Sequence, residues 1–155
     1  MRYLQRNMGY MGTTISHLIE VLSMSDRKIR VLMSKPGIDG HWRGGIVVSR
    51  ALRDAGMELI FGGFQNVNEI VEAAIQEDVD VIGLSIHSGA HFAYTKQVID
   101  LLKERGVFDN ILILVGGVIP AQDFPKLKEI GVANVYGPGS MTSDITEFIK
   151  THVKK

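Results

Sequence analysis

Asp39, His41 and Gly44 are spaced as Asp-x-His-x-x-Gly in the stretch Asp39-Gly40-His41-Trp42-Arg43-Gly44, just after a strong strand signal, Ile29-Arg30-Val31-Leu32-Met33. This puts an imidazole in a glycine-flanked loop at the carboxyl end of a strand, with a carboxylate close upstream. Such a pair suits metal ligation. One ring nitrogen takes the metal, and the carboxylate holds the proton on the other, fixing tautomer and ring orientation. The string by itself is weak. Its weight comes from the elements that must position it.

At 155 residues the chain is long enough for one domain with a substantial core. A hydrophobic content of 45% and a mean hydropathy of +0.11 describe a globular protein. Its 17 basic and 17 acidic residues cancel, which leaves no nucleic-acid footprint and no polybasic membrane anchor. The absence of cysteine excludes disulfides and thiolate metal sites. No apolar run approaches the roughly 20 residues of a membrane span. Gln5, Asn7, His17 and Glu20 break up the segment behind Arg2 and Arg6, so no signal peptide is expected. The expected location is cytoplasmic, with neither nucleic acid nor membrane as a partner.

Residues 1–27 stand apart as an N-terminal extension. Leu18-Ile19-Glu20-Val21-Leu22 fits a short amphipathic helix starting near Thr14 or Ser16. A loosely held tail is the default for it, and a partner-docking element the alternative. Residues 28–155 form the domain proper. Strand 29–34 leads through the glycine loop to a helix from Trp42 to Ala55, stopped by Gly56. Strand 57–61 follows, then a helix beginning at Asn68 and running to Glu77, with Asn68-Glu69 supplying cap and acidic first turn. Strand 79–85 precedes a helix over 92–105 that stops at Gly106. Strand 111–115 ends in Gly116-Gly117, and a helix over 121–130 stops at Gly131. Strand 134–136 and a helix over 142–153 close the chain.

Apolar strands alternating with helices predict an α/β protein of flavodoxin-like (Rossmann-like) type, a five-stranded parallel sheet with helices on both faces. Ligands in such folds sit at the carboxyl ends of the strands, at the topological switch point. Loops 36–45, 85–91 and 116–120 all fall there. The usual ligands fit poorly. Gly37, Gly40, Gly44 and Gly45 miss the Gly-x-Gly-x-x-Gly fingerprint, and no Gly-Lys-Ser/Thr loop is present. Pro36 to Gly45 offers no hydroxyl for a flavin phosphate, and Ser85 stands where a receiver domain needs aspartate.

Asp39-x-His41-x-x-Gly44, Ser85 and Gly116-Gly117 together resemble the cobalamin-binding motif of adenosylcobalamin-dependent mutases. The stretches Arg50 to Gly56, Gln76 to Gly83 and Val115 to Pro120 resemble the C-terminal cobalamin domain of the methylmalonyl-CoA mutase family, and the likeness extends over about residues 28–152. It implies that His41 displaces the cofactor's own dimethylbenzimidazole and becomes the lower axial cobalt ligand, with Asp39 hydrogen-bonded to its distal nitrogen. Gly44 would let the backbone pass close to the corrin or its tail. Ser85 would hydrogen-bond the displaced base, and Gly116 and Gly117 would leave room for the tail. Gly40, Arg43 and His87 complete the expected cofactor-binding set.

Several residues have plainer readings as well. Arg43 and Lys35 are solvated charges by default, with corrin amides or the cofactor phosphate as the alternative. Ser85 could instead cap the next helix. Trp42 could cover the corrin edge or simply pack. The family's Ser-x-Leu is here Ser85-Ile86-His87. A leucine packs against the buried tail, whereas an imidazole must find a hydrogen-bond partner or stay wet. His87 and His91 could form a zinc pair, although no third ligand is evident and structural histidines are the default.

The resemblance implies an isomerase in which adenosylcobalamin supports radical carbon-skeleton rearrangement of an acyl-CoA. In the family, the substrate is held in a separate (β/α)8 barrel of about 250 residues, more than this chain can contain. The expectation is therefore a cobalamin-binding small subunit, inactive alone, that docks on a large catalytic barrel subunit. It carries no catalytic residue beyond the cofactor ligand. Methylmalonyl-CoA is the expected substrate, with 2-hydroxyisobutyryl-CoA close behind. The alternatives are a corrinoid carrier for methyl transfer, which usually has a helical bundle ahead of this domain, and a cobalamin-handling or sensing protein.

Overall fold

The computed structural model describes residues 15–19 and 27–154. Residues 15–19 are helical, in the segment where a short helix was expected; the remainder of that expected helix lies outside the described residues. The domain then runs β1 (Arg30–Pro36), α1 (Arg43–Asp54), β2 (Glu58–Gln65), α2 (Val67–Gln76), β3 (Val81–Ile86), α3 (His91–Glu104), β4 (Leu112–Gly117), α4 (Phe124–Ile130), β5 (Asn134–Tyr136) and α5 (Thr142–His152). Short 3-10 turns, Phe108–Asn110 and Ala121–Asp123, precede β4 and α4.

Two boundaries differ from the sequence reading for physical reasons. The cap of α2 is Asn66, not Asn68. Its side chain accepts from the Glu69 backbone N–H while the Glu69 carboxylate accepts from the Asn66 N–H, which is a capping box. A cap at Asn68 would put Val71 where the acid must stand. The second difference is the greater length of β1 and β2, which pair in parallel as far as Lys35 with Phe64 and Pro36 with Gln65, past an irregularity at Met33/Ser34.

The sheet has five strands in the order β2-β1-β3-β4-β5, all parallel, as the β-α alternation predicts. The chain leaves β1 toward β2 on one side and returns to β3 on the other, so the carboxyl ends of β1 and β3 flank the switch point. Successive strand side chains point to opposite faces. Leu32, Ile82, Leu84, Ile113 and Val115 pack under α2, α3 and α4, against residues such as Ile70, Ile99, Leu102 and Leu127. Val31, Val81 and Leu114 pack on the other face with Leu52 of α1 and Ile145 and Ile149 of α5. On that second face a crevice opens between α1 and α5.

Candidate cofactor site

Lys35, near the end of β1, is fully buried. Its Nζ lies 2.5 Å from Asp39 Oδ1, 3.4 Å from His87 Nδ1 and 6.0 Å from the centre of the Trp42 ring. The reading of Lys35 as a solvated charge is thereby corrected. β1 extends beyond residue 34, which draws Lys35 into the sheet layer, and a buried ammonium persists only when paired. The spacing of Lys35 and Asp39, four residues apart, is the signal that could have found this pair.

Asp39 is the hub. Its Oδ1 accepts from Lys35 Nζ and from the His41 backbone N–H at 3.0 Å, and His41 Nδ1 lies 3.4 Å from the same oxygen. Burial pushes this carboxyl up, but Lys35 and the His41 N–H outweigh it and hold the pKa at about 2. Asp39 therefore stays ionised. The His41 side chain is 73% exposed, and with Nδ1 beside Asp39 its Nε2 is the nitrogen left for a metal. The His87 ring stacks on His41 with centroids 5.2 Å apart and planes 14° from parallel. Burial pulls the pKa of His87 below the usual imidazole range and Lys35 pulls it further, with Asp39 opposing. The imidazole in the place of the family leucine has thus found its polar partner in Lys35.

The crevice beside this group has a volume of about 410 Å³, and its lining includes Arg43, Gly44, Gly45, Ser85, Gly116 and Tyr136. A Cβ added to Gly44 would enter open space, and so would one on Gly40. At Gly45 it would lie 3.8 Å from Ser85 Oγ, so the first turn of α1 passes directly over Ser85. Gly116 and Gly117 differ. A Cβ on Gly116 would make an ordinary 3.6 Å contact with the Tyr136 carbonyl, so packing does not require glycine there. Gly117 has φ +134°, and a Cβ there would collide with the Ile86 carbonyl oxygen. Gly117 thus makes a tight exit from β4 that only glycine allows.

Arg43 is exposed at the start of α1. Ser85 does not cap the following helix, whose N-cap is Ala90 without a side-chain hydrogen bond. The zinc-pair reading fails as well. His91 is buried with Nε2 3.0 Å from Asp123 Oδ2, while His87 faces Lys35 and His41. Among the described residues no group of three or more His, Asp or Glu could hold a metal ion. A metal on His41 must therefore arrive with its other ligands. A corrin-held cobalt meets that demand, and Gly44 and the crevice leave space for its macrocycle and tail. Asp39 Oδ2, buried with no hydrogen-bond partner, adds a spare acceptor at the site.

The model of the B12-binding domain family matches residues 29–145. The chain is 46% identical to the 2-hydroxyisobutanoyl-CoA mutase small subunit of Aquincola tertiaricarbonis, over 72% of this chain and 82% of that one. It is 38% identical to the methylmalonyl-CoA mutase of Rhizobium meliloti (strain 1021) over 86% of this chain, but spans only 19% of that protein. A cobalamin-binding protein from Desulfitobacterium hafniense DCB-2 has the same fold, with a TM-score of 0.71 and 17% identity over 83% of this chain and 60% of that one. Fold and site define a cobalamin-binding α/β domain. The chain belongs to the B12-binding domain family and, within it, to the small subunits of acyl-CoA mutases, which are isomerases. Among the described residues no helix is long and apolar enough to cross a membrane.

Proposed function

We propose that this chain holds cobalamin base-off, with His41 Nε2 as the lower axial cobalt ligand, and presents the adenosyl form of the cofactor to a separate, large (β/α)8-barrel subunit. The observation that carries the reading is the linked set Lys35–Asp39–His41, next in sequence to Arg43 and Gly44, which line an apolar crevice. When bound, adenosylcobalamin supplies the radical chemistry by which an acyl-CoA carbon skeleton rearranges. The protein's part is placement. Asp39 keeps the proton on His41 Nδ1 and so frees Nε2. Lys35 keeps Asp39 ionised. Gly40 and Gly44 would admit the macrocycle, Ser85 would hydrogen-bond the cofactor's tail, and Gly116 with the backbone-required Gly117 would bound that tail. Arg43, which lines the crevice, would reach the cofactor's polar rim, and His87 stacks on His41.

The binding unit is the domain over residues 28–155, with residues 1–27 as an extension, in a cytoplasmic protein. The substrate is a small branched acyl-CoA chosen by the partner. Methylmalonyl-CoA is the one implied by the motifs, and the 46% identity to a 2-hydroxyisobutanoyl-CoA mutase small subunit favours 2-hydroxyisobutanoyl-CoA beside it. The test is to load the purified chain with adenosylcobalamin and offer it both acyl-CoAs, first alone and then with a large mutase subunit. The expected result is binding without turnover alone, and turnover of one acyl-CoA once the large subunit is added. Turnover by the pure chain contradicts the division of labour. Methylation of the bound cofactor by a methyltransferase, with no response to the large subunit, would make the chain a corrinoid carrier instead.

A further inference from the structure

We propose that His87 is a positioning residue for the axial histidine, the fourth member of a chain His41–Asp39–Lys35–His87. The inference rests on the reading of His41 as the cobalt ligand. Two contacts carry it. His87 Nδ1 lies 3.4 Å from Lys35 Nζ, and the His87 ring lies parallel to that of His41 at 5.2 Å. Lysine can only donate, so Nδ1 of His87 accepts and the ring proton sits on Nε2.

The two histidines stand on unequal supports. His41 is in the exposed loop between β1 and α1, its side chain 73% accessible. His87 follows directly on Ile86 of β3, a strand buried along its whole length. A ring anchored to the sheet therefore lies flat on one anchored to a loop and limits its rotation. By accepting a hydrogen bond from the ammonium, His87 also helps fix the direction of Lys35, whose other partner is Asp39. A leucine at this position, as in the Ser-x-Leu motif, could neither accept from Lys35 nor stack. His41 is thus oriented before the cofactor arrives, and less orientational freedom is lost on binding.

The experiment compares the full wild-type chain with His87→Leu, His87→Phe, His87→Asn and His41→Ala. Cobalamin dissociation constants are read from quenching of the single tryptophan, Trp42. Histidine tautomers in the cofactor-free proteins are read from long-range proton–nitrogen-15 correlations. In the wild type, His41 should carry its proton on Nδ1 and His87 on Nε2. His87→Leu should weaken binding roughly three- to tenfold, the size of one aromatic contact, and leave His41 a mixture of tautomers. His87→Phe, which keeps the ring, and His87→Asn, which keeps the acceptor, should each recover part of the loss. If His41→Ala weakens binding while His87→Leu changes neither affinity nor the His41 tautomer, the inference falls and the ligand assignment stands. Lower stability in all His87 variants with an unmoved His41 signal would also overturn it. If His41→Ala binds cobalamin as tightly as the wild type, both fall together.

Discussion

Along β3, Ile82, Leu84 and Ile86 face α2, α3 and α4, whereas Val81, Gly83 and Ser85 face α1 and α5. One strand thus builds a filled layer on one side and the floor of a crevice on the other. On the filled side each fully buried leucine or isoleucine contributes about 1.5–3 kcal/mol of apolar burial. On the open side the small residues give up that gain toward the carboxyl ends of the strands, and space remains for a ligand. β4 repeats the pattern, with Ile113 and Val115 in the filled layer and Leu114 and Gly116 toward the crevice. The lesson is a division of work: one face is filled throughout, whereas the other packs around Leu52 and Ile149 and opens only toward the carboxyl ends of the strands, where the crevice lies.

Substitutions on the two faces should therefore separate stability from affinity. The largest effect belongs to the filled face. Leu102→Ala should lower folding stability by about 2–5 kcal/mol in denaturant unfolding, and leave the cobalamin dissociation constant within about twofold of wild type. A large loss of affinity there would break the comparison. On the open face the reverse is expected. Gly44→Val, whose side chain would enter open space, should weaken cobalamin binding roughly 100-fold or more, about 2.7 kcal/mol, with little change in melting temperature because most residues suit a helix better than glycine does.

Asp39 joins the two ledgers. Its carboxyl is held at about 2 against an ordinary 3.8. Because the folded-state value is the lower one, the unfolded chain takes up the proton first as acid is added. The resulting stability, roughly 2 kcal/mol, is fully present above about pH 4 and is lost as the pH falls toward 2. Asp39→Asn should show that deficit at pH 7 by urea unfolding, and the gap to wild type should close between pH 4 and pH 2. A gap constant down to pH 2 would show that Asp39 is not held ionised by Lys35. The smallest effect is expected from Ser85→Ala, which should weaken cobalamin binding by one hydrogen bond, about 1 kcal/mol, measurable by the same fluorescence titration.

What could be read from the sequence was local. Gly56, Gly106 and Gly131 read as helix stops, and all three have positive φ just past their helices. The strands announced themselves by apolar runs, and Asp39 and His41 by spacing within one loop. What could not be read depends on pairing between distant segments. Lys35 is buried because β1 continues alongside β2, and that length is set by the partner strand rather than by the residues around Lys35. The stacking of His87 on His41 joins the ends of two strands that are neighbours only through the β1–β3 crossover. The differing roles of Gly116 and Gly117 likewise follow from which of them passes close to the Ile86 carbonyl.

The most direct test of His41 as the cobalt ligand is the electron paramagnetic resonance spectrum of cob(II)alamin bound to this chain, recorded with and without nitrogen-15 histidine. Ligation by His41 predicts an axial-nitrogen splitting that changes on labelling, and that no longer responds to labelling in His41→Ala. A splitting indifferent to the label would mean that the cofactor keeps its own base, and would contradict the assignment of His41.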